Sequence, residues 1–481
     1  MDILAENLHI IAIVLFVFYS LAGICAVREI MYGRTAQGSI AWLLSLAFFP
    51  IPTVFIYLIF GWKKFDDYPR LTQCEISTIQ STSGDVEGLA EPPIESSVSD
   101  KHFRVLTSVA PIPFQSGNKA KLLIDGQETF SSIFAGIKAA QHYVLVQFFI
   151  IRNDRLGKEM ADLLIEKATQ GVSVYLLYDN LGSKDLPRRY LRRLSDAGVQ
   201  VAGFNQTHPM LRLTGPFRIN FRNHRKIVVV DGECTWVGGH NVGVEYLGEN
   251  PSLGRWRDTH VKVIGPATTA TQLSFAEDWL WATGKSLPVR CENTGTANST
   301  ESVLVMPTGP ADDIETCAVV FADLISRAND RVWIVSPYFV PGIEVITALY
   351  GALLRGVDVR VLLPSKPDHR IVWLASTSHA ADMVAAGVKV YRYNDGFLHQ
   401  KIFLVDDDLA GVGTVNFDNR SFRINFEVTM WFAESPIVAD VEKMLIADFE
   451  QSVPVEEPNL YHKPYYFQVA ARAARLLSPI L

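Results

Sequence analysis

The feature that most constrains this chain is a pattern stated twice between residues 120 and 450. The first copy reads SSIFAGIKAAQHYVLVQFFI, ADLLIEKATQGVSVYLLYDN and AGVQVAGFN. The second reads AVVFADLISRANDRVWIVSPYFV, ALYGALLRGVDVRVLLPSKP and AGVKVYRYN. Each copy runs helix, buried strand, helix, Gly-Val-led strand, then another Gly-Val-led strand. Helices alternating with short Val-rich strands predict an α/β fold, with central mixed or parallel sheets flanked by helices. Two copies predict two halves related by a pseudo-twofold axis.

Each copy continues into a similar stretch, NHRKIVVVDGECTWVGGHN at 223–241 and LHQKIFLVDDDLAGVGTVN at 398–416. His224, Lys226 and Asp231 align with His399, Lys401 and Asp406. Asn241 and Asn416 each lie 17 residues past the histidine of their copy. A His-x-Lys-x4-Asp match arises by chance on the order of 0.03 times in a chain of this histidine content. Two matches at equivalent places are therefore not accidental.

Residues two apart in a strand face the same way, so His224 and Lys226 point together, as do His399 and Lys401. The apolar runs Ile227–Val230 and Ile402–Val405 anchor each strand in a sheet interior. The aspartates come where the strand turns and are better placed as hydrogen-bond acceptors than as bases. Halves meeting across a twofold axis would bring two imidazoles, two ammonium groups and two asparagine amides to one cleft. That set suits a phosphodiester, with donors for its oxygens and a nucleophile and an acid on opposite sides. The lysines supply the charge, and no carboxylate cluster or cysteine spacing points to a metal, so neither metal nor cofactor is expected. Each imidazole also needs a partner that fixes its tautomer. Asp258 in RWRDTHVKVIGP and Glu427 in RINFEVTMWF are candidates, 34 and 28 residues past the histidine of their own half.

The N-terminus reads as membrane. Between Glu6 and Arg28 lie 21 uncharged residues, a helix of about 31 Å and close to the thickness of a bilayer core. A second uncharged run covers 40–62, with Pro50 and Pro52 expected to kink it. Two spans, at about 7–27 and 40–62, make a transmembrane hairpin. Asp2 and Glu6, with no preceding Lys or Arg, argue against a cleaved signal peptide. The charges flanking the spans favour a cytoplasmic body. A formal charge of -7 argues against a nucleic-acid binder. Five scattered cysteines give no disulfide framework. The expected organisation is a hairpin at 1–65, mainly linker at 66–118 with a strand near Phe103–Val109, and two catalytic halves at 119–290 and 291–481.

The paired motifs resemble the HKD motifs of the phospholipase D superfamily. The finer likeness is to bacterial cardiolipin synthases, through the double N-terminal span, PYFVP at Pro337–Pro341, NFDNRSFRINFE at Asn416–Glu427 and RLLSP at Arg475–Pro479. The resemblance implies phosphatidyl transfer from one phosphatidylglycerol to the hydroxyl of another, through a phosphatidyl-histidine, giving cardiolipin and glycerol. It implies His224 as nucleophile and His399 as acid and base, while the symmetry of the repeat leaves the exchanged assignment open. Lys226, Lys401, Asn241 and Asn416 would hold the phosphate. Asp258 and Glu427 would orient the imidazoles, and Asp231 and Asp406 would support the motifs structurally. The implied location is the bacterial inner membrane, multi-pass, with the catalytic body on the cytoplasmic side.

Several alternatives stay open. The same residues serve a phospholipase D-type hydrolase, or a transferase using phosphatidylethanolamine or another alcohol. Acidity and the anchor disfavour a nuclease, and two complete motifs disfavour a non-catalytic scaffold. Oligomeric state is open. The halves also differ. The first carries about 14 extra residues before its motif, with Arg212, Arg218 and Arg222 among Leu211, Leu213 and Phe217, either a headgroup seat or an ordinary loop. It lacks the Arg420–Ser421 pair and reads GVEYLG instead. The last segment, PYYFQVAARAARLLSPIL, either lies on the membrane or packs on the body.

Overall fold

The computed structural model describes residues 2–33, 35–61, 65, 68–71, 103–205, 220–289, 299–455, 460 and 462–481. The chain divides into two compact units, Met1–Asp67 with Thr207–Phe221, and Tyr68–Gln206 with Arg222–Leu481.

The larger unit is built on one mixed sheet. The first copy contributes β1 (Gln115–Ile124), β2 (Tyr143–Phe148), β3 (Ser173–Asp179), β4 (Gln200–Phe204), β5 (Ile227–Val230), β6 (Cys234–Gly238) and β7 (Thr259–Ile264). The second contributes β8 (Glu301–Thr308), β9 (Arg331–Val335), β10 (Asp358–Pro364), β11 (Lys389–Tyr393), β12 (Ile402–Val405), β13 (Leu409–Gly413) and β14 (Asn425–Ala433). A short edge strand, β15 (Ser452–Pro454), follows. The spatial order is β15-β11-β10-β9-β12-β13-β14-β8-β1-β7-β6-β5-β2-β3-β4. Outward from the antiparallel β1–β8 joint, the same seven-strand series runs on both sides.

The apolar runs explain the central places of β5 and β12. Each is buried along its whole length and pairs antiparallel on both edges, β5 with β2 and β6, β12 with β9 and β13. Flanking helices are amphipathic. Helix Arg155–Thr169 buries Leu156, Met160, Leu163, Leu164 and Lys167, one face at helical spacing. Its N-cap Asp154 accepts from the Gly157 amide at 3.0 Å.

Residues Arg104–Val109 form a helix, not the expected strand. Phe103 and Leu106 lie three apart, the spacing of one helical face, and both are buried in the core of the second copy. Tyr68 also belongs to this body, its hydroxyl donating to Asp278 at 2.7 Å. The expected linker between residues 72 and 102 lies outside the described residues, as do most of the extra residues before the first motif.

In the N-terminal unit, α1 (Asp2–Tyr32) contains one stretch long and apolar enough to cross a membrane, His9–Tyr32. The second run is not one continuous helix. It breaks at Phe49 into α2 (Ala36–Phe48) and α3 (Pro50–Phe60). Pro50 and Pro52 lack the amides that would continue the ladder, and Pro50 opens α3 at its first turn. The Thr53 hydroxyl instead donates to the Ser45 carbonyl at 3.0 Å. Ala22, Cys25, Leu46, Val54 and Tyr57 join the three helices, while Ile10, Ile13, Phe16, Phe48 and Phe55 face outward.

Asp231 and Asp406 close the two motif strands in the left-handed region, at φ 54° and 47°. The Asp231 carboxylate accepts from the amides of Gln141, His142 and Tyr143 at 2.7–2.8 Å. Asp406 accepts from those of Asn329, Asp330 and Arg331. Each clamps the end of a motif strand to the start of its neighbour. Asp231→Ala and Asp406→Ala should each cost about 2–4 kcal/mol of stability. Denaturant unfolding of the detergent-solubilised protein checks this; a loss at only one of the two sites would contradict the matched clamps.

Candidate active site

Each histidine is delivered by the strand segment just before it. Arg222–Asn223 pairs in parallel with Asn425–Phe426, and the His224 amide donates to the Phe426 carbonyl at 2.9 Å. Continued by one residue, that register sets His224 beside Glu427. In the other copy Phe397–Leu398 pairs with Trp256–Arg257, and the His399 amide donates to the Arg257 carbonyl at 2.8 Å. That register sets His399 beside Asp258. Imidazole and acid therefore come from opposite copies. His224 Nδ1 lies 2.9 and 3.0 Å from the two Glu427 oxygens. His399 Nδ1 lies 2.7 Å from Asp258 Oδ2. The sequence named both acids as partners of the imidazoles without assigning either to a particular histidine; the parallel pairings cross them between the copies.

Both histidines line one cavity of about 530 Å³, together with Asn241, Asn416, Arg222, Arg420 and Trp256. Asn241 is held on both sides, accepting from the Ile150 amide at 3.1 Å and donating to the Tyr246 hydroxyl at 3.1 Å. Asn416 is buried, and its Oδ1 has no hydrogen-bond partner. The lysines do not line this cavity. Lys226 Nζ donates back to the His224 carbonyl at 2.6 Å, and Lys401 Nζ contacts the His399 carbonyl and lies 2.7 Å from its Nδ1. Asp231 and Asp406 are likewise absent from the lining, occupied by the strand clamps described above.

A family model described as "Cardiolipin synthase, PLD-like domain" matches residues 133–254 and 321–449, once around each motif. The chain belongs to that family. A second model, "Phospholipase_D-nuclease N-terminal", matches residues 20–62. Cardiolipin synthase A of Pseudomonas aeruginosa (strain LESB58) is 45% identical over 468 residues, covering 95% of this chain and 94% of that protein. Cardiolipin synthase A of Pseudomonas fluorescens (strain SBW25) is 45% identical over 482 residues, covering 98% and 99%. Among solved structures, phosphatidylserine synthase of Haemophilus influenzae Rd KW20 superposes with a TM-score of 0.61 at 16% identity. It covers 79% of this chain and 100% of that one, a likeness of fold.

In this member of the cardiolipin synthase family, several supporting residues were not legible as sequence. Arg225, between His224 and Lys226 in the extended segment that leads into β5, points away from them. There it pairs with buried Asp278 at 2.9 Å and donates to the Glu427 carbonyl at 3.0 Å. Gln147 Nε2 bridges Asp278 and Asn223, at 2.7 and 2.8 Å. Arg257 grips Asp448 with two bonds, 2.7 and 2.8 Å, beside Asp258. The Thr414 hydroxyl donates to Glu427 at 2.6 Å. Alternation along an extended segment signals where Arg225 points, but nothing in the sequence names Asp278.

Burial pushes His224 down to about 4, with Glu427 opposing and Lys226 adding to the shift. Burial and Lys401 push His399 down to about 4 as well. Burial lowers Lys401 to about 8 and depresses Lys226 too. Burial pushes Glu427 up, but His224, Lys226 and Thr414 outweigh it and leave it below the ordinary carboxylate range. At neutral pH each pair is thus a neutral imidazole against a carboxylate. A carboxylate only accepts, so Nδ1 carries the proton and Nε2 keeps its lone pair.

A phosphodiester bound beside the two neutral imidazoles adds one negative charge. That charge raises the affinity of an imidazole for a proton. Binding of dimethyl phosphate at pH 7 should take up close to one proton, about 0.5–1. Calorimetry in buffers of different ionisation enthalpy measures it, and zero uptake would mean that the histidines stay neutral beside the anion.

Proposed function

We propose that this protein makes cardiolipin from two molecules of phosphatidylglycerol, as a membrane-anchored phosphatidyltransferase. The observation that carries the reading is the pair of crossed imidazole–carboxylate contacts opening on one cavity. In-line displacement at phosphorus needs a lone pair on one face and a proton on the other, and two such pairs supply both.

His224 Nε2 attacks the phosphorus of the first phosphatidylglycerol. A P–N bond forms as the P–O bond to glycerol breaks, and His399, which takes up a proton at Nε2 when the anion binds, gives that proton to the departing oxygen. His399, now neutral, takes the proton from the primary hydroxyl of the second phosphatidylglycerol. That oxygen bonds to phosphorus, the P–N bond breaks, and His224 is regenerated. The products are cardiolipin and glycerol. Glu427 and Asp258 stabilise the imidazolium forms of the opposite half's histidines. Lys226 and Lys401, one hydrogen bond behind the imidazoles, stabilise the charge developing on the phosphoryl oxygens. Asn416 and Asn241 line the seat of the phosphate.

The anchor lies in the bacterial inner membrane. α1 crosses it, and α2 with α3 make the return crossing as a broken helix of 13 and 11 residues. Together these equal the length of a span at 1.5 Å per residue. Their outward apolar side chains and the Thr53 repair at the break support this reading. The body, with catalytic halves 119–290 and 291–481, faces the cytoplasm.

The purified protein, given phosphatidylglycerol alone in detergent, should release glycerol in step with cardiolipin. His224→Ala and His399→Ala should each lower turnover by about 10³-fold or more, and the double variant should be no worse than the singles, as for residues acting as one unit. Lipid mass spectrometry reads all three. Phosphatidic acid without cardiolipin would make water the acceptor and sink the synthase reading.

A further inference from the structure

The duplicated motifs make the centre of the cleft symmetric, but its two flanks differ. Three positions define a flank: two residues before the histidine, two before the acid that binds it, and four past the motif asparagine. On one flank these are Arg222, Asn425 and Arg420; on the other they are Phe397, Trp256 and Glu245. The equivalence is structural as well as numerical, because Arg222 registers with Asn425 as Phe397 registers with Trp256.

The chemistry of the flanks is opposite. Phe397 and Trp256 are buried against each other with ring centroids 4.9 Å apart, and Trp256 lies 5.0 Å from the His399 ring. Glu245 is paired with Arg152 at 3.0 Å. On the other flank two guanidinium groups, one from each copy, face the same cavity as both histidines. Arg222 is 9% exposed and Asn425 5%. Burial lowers the pKa of both arginines, and Arg222 adds to the effect on Arg420, while Asp179 and Asp418 temper it. Asn425 donates to Glu427 at 3.2 Å, yet its buried Oδ1 has no hydrogen-bond partner. The flank therefore joins two cations with an unmet acceptor, which matches an anion carrying a hydroxyl.

We propose that Arg222, Arg420 and Asn425 form the subsite for the second phosphatidylglycerol, the acceptor. The arginines take its phosphate and Asn425 Oδ1 takes the secondary hydroxyl of its glycerol. The inference rests on the cardiolipin synthase reading and deepens it. The motif residues hold only the phosphate being transferred. The acceptor brings another phosphate, three carbons from the attacking oxygen, and that phosphate needs cations of its own. Binding it turns the primary hydroxyl towards the phosphatidyl-histidine. The oxygen–phosphorus bond then forms, the nitrogen–phosphorus bond breaks, and the hydroxyl proton passes to the other imidazole. A neutral alcohol enters the same step without using this subsite.

Competition between acceptors tests the subsite. The full chain in detergent receives phosphatidylglycerol and 1-propanol together, and cardiolipin and phosphatidylpropanol are quantified in the same tube. In Arg222→Gln and Arg420→Gln the ratio of cardiolipin to phosphatidylpropanol should fall about tenfold or more, with a raised KM for phosphatidylglycerol as acceptor. Arg420→Lys, which keeps the charge, should hold the ratio within about threefold. An unchanged ratio overturns the subsite, whether both products fall or neither does, and so does loss of both products in the glutamine variants. A wild-type protein that forms phosphatidylpropanol but no cardiolipin fails the synthase reading itself, a separate result.

Discussion

The crossed histidine–carboxylate contacts are the constraint on which the rest of the body depends. Neither copy holds a complete histidine–carboxylate pair: His224 contacts Glu427, and His399 contacts Asp258. The crossing is made by backbone, through two short parallel pairings that carry each histidine strand onto the acid-bearing strand of the other copy. Those pairings require the copies to abut edge to edge, which the β1–β8 joint provides. A single copy folded alone would leave each carboxylate buried without the imidazole that satisfies it, at a cost of several kcal/mol. Duplication here builds a site that exists only at the joint.

Charge accounts for the depth of the network around it. Lys226 and Glu427 are almost wholly buried, as are Arg225, Asp258 and Asp278. Charges removed from water persist only when paired with good geometry. The pairing is layered: Arg225 with Asp278 behind the first motif, Arg257 with Asp448 behind the acid of the second pair, and Thr414 on Glu427. Each outer contact fixes a group that touches an imidazole. Holding them rigid keeps Nε2 of each histidine aimed at the cavity without reorganisation when charge develops.

Much of this was legible in the sequence because it depends on period and repetition. The apolar runs of β5 and β12 specify central strands, and period two puts each lysine on the face of its histidine. The aspartates after those runs read as strand ends, and the structure makes them backbone clamps. What the sequence hides is anything set by contact across copies. The distance from His224 to Asp258 or to Glu427 along the chain says nothing about which strand edges meet. The same holds for Asp278, which follows Glu277 in a helix of otherwise apolar and neutral residues and gives no sign of its partner. Local conflicts account for the rest. Phe103 and Leu106 suit a helix face as well as a strand, and the prolines at 50 and 52 break the second apolar run outright where a kink was expected.

The symmetry of the centre and the asymmetry of the flanks answer to different parts of the reaction. In the proposed reaction the two displacements at phosphorus are near mirror images: glycerol leaves where the second alcohol later attacks, so one acid–base histidine would serve both. A twofold centre suits that chemistry and gives duplication no reason to diverge there. The two lipids are not equivalent, since one is opened at phosphorus and the other keeps its phosphate intact. A site with matching flanks would hold both in the same manner and could not bias which one attacks. Arg222 and Arg420 against Phe397 and Trp256 break that equivalence within a cavity whose reacting core stays symmetric. Within the cavity the two halves match at the histidine–carboxylate pairs and differ at these flanking positions.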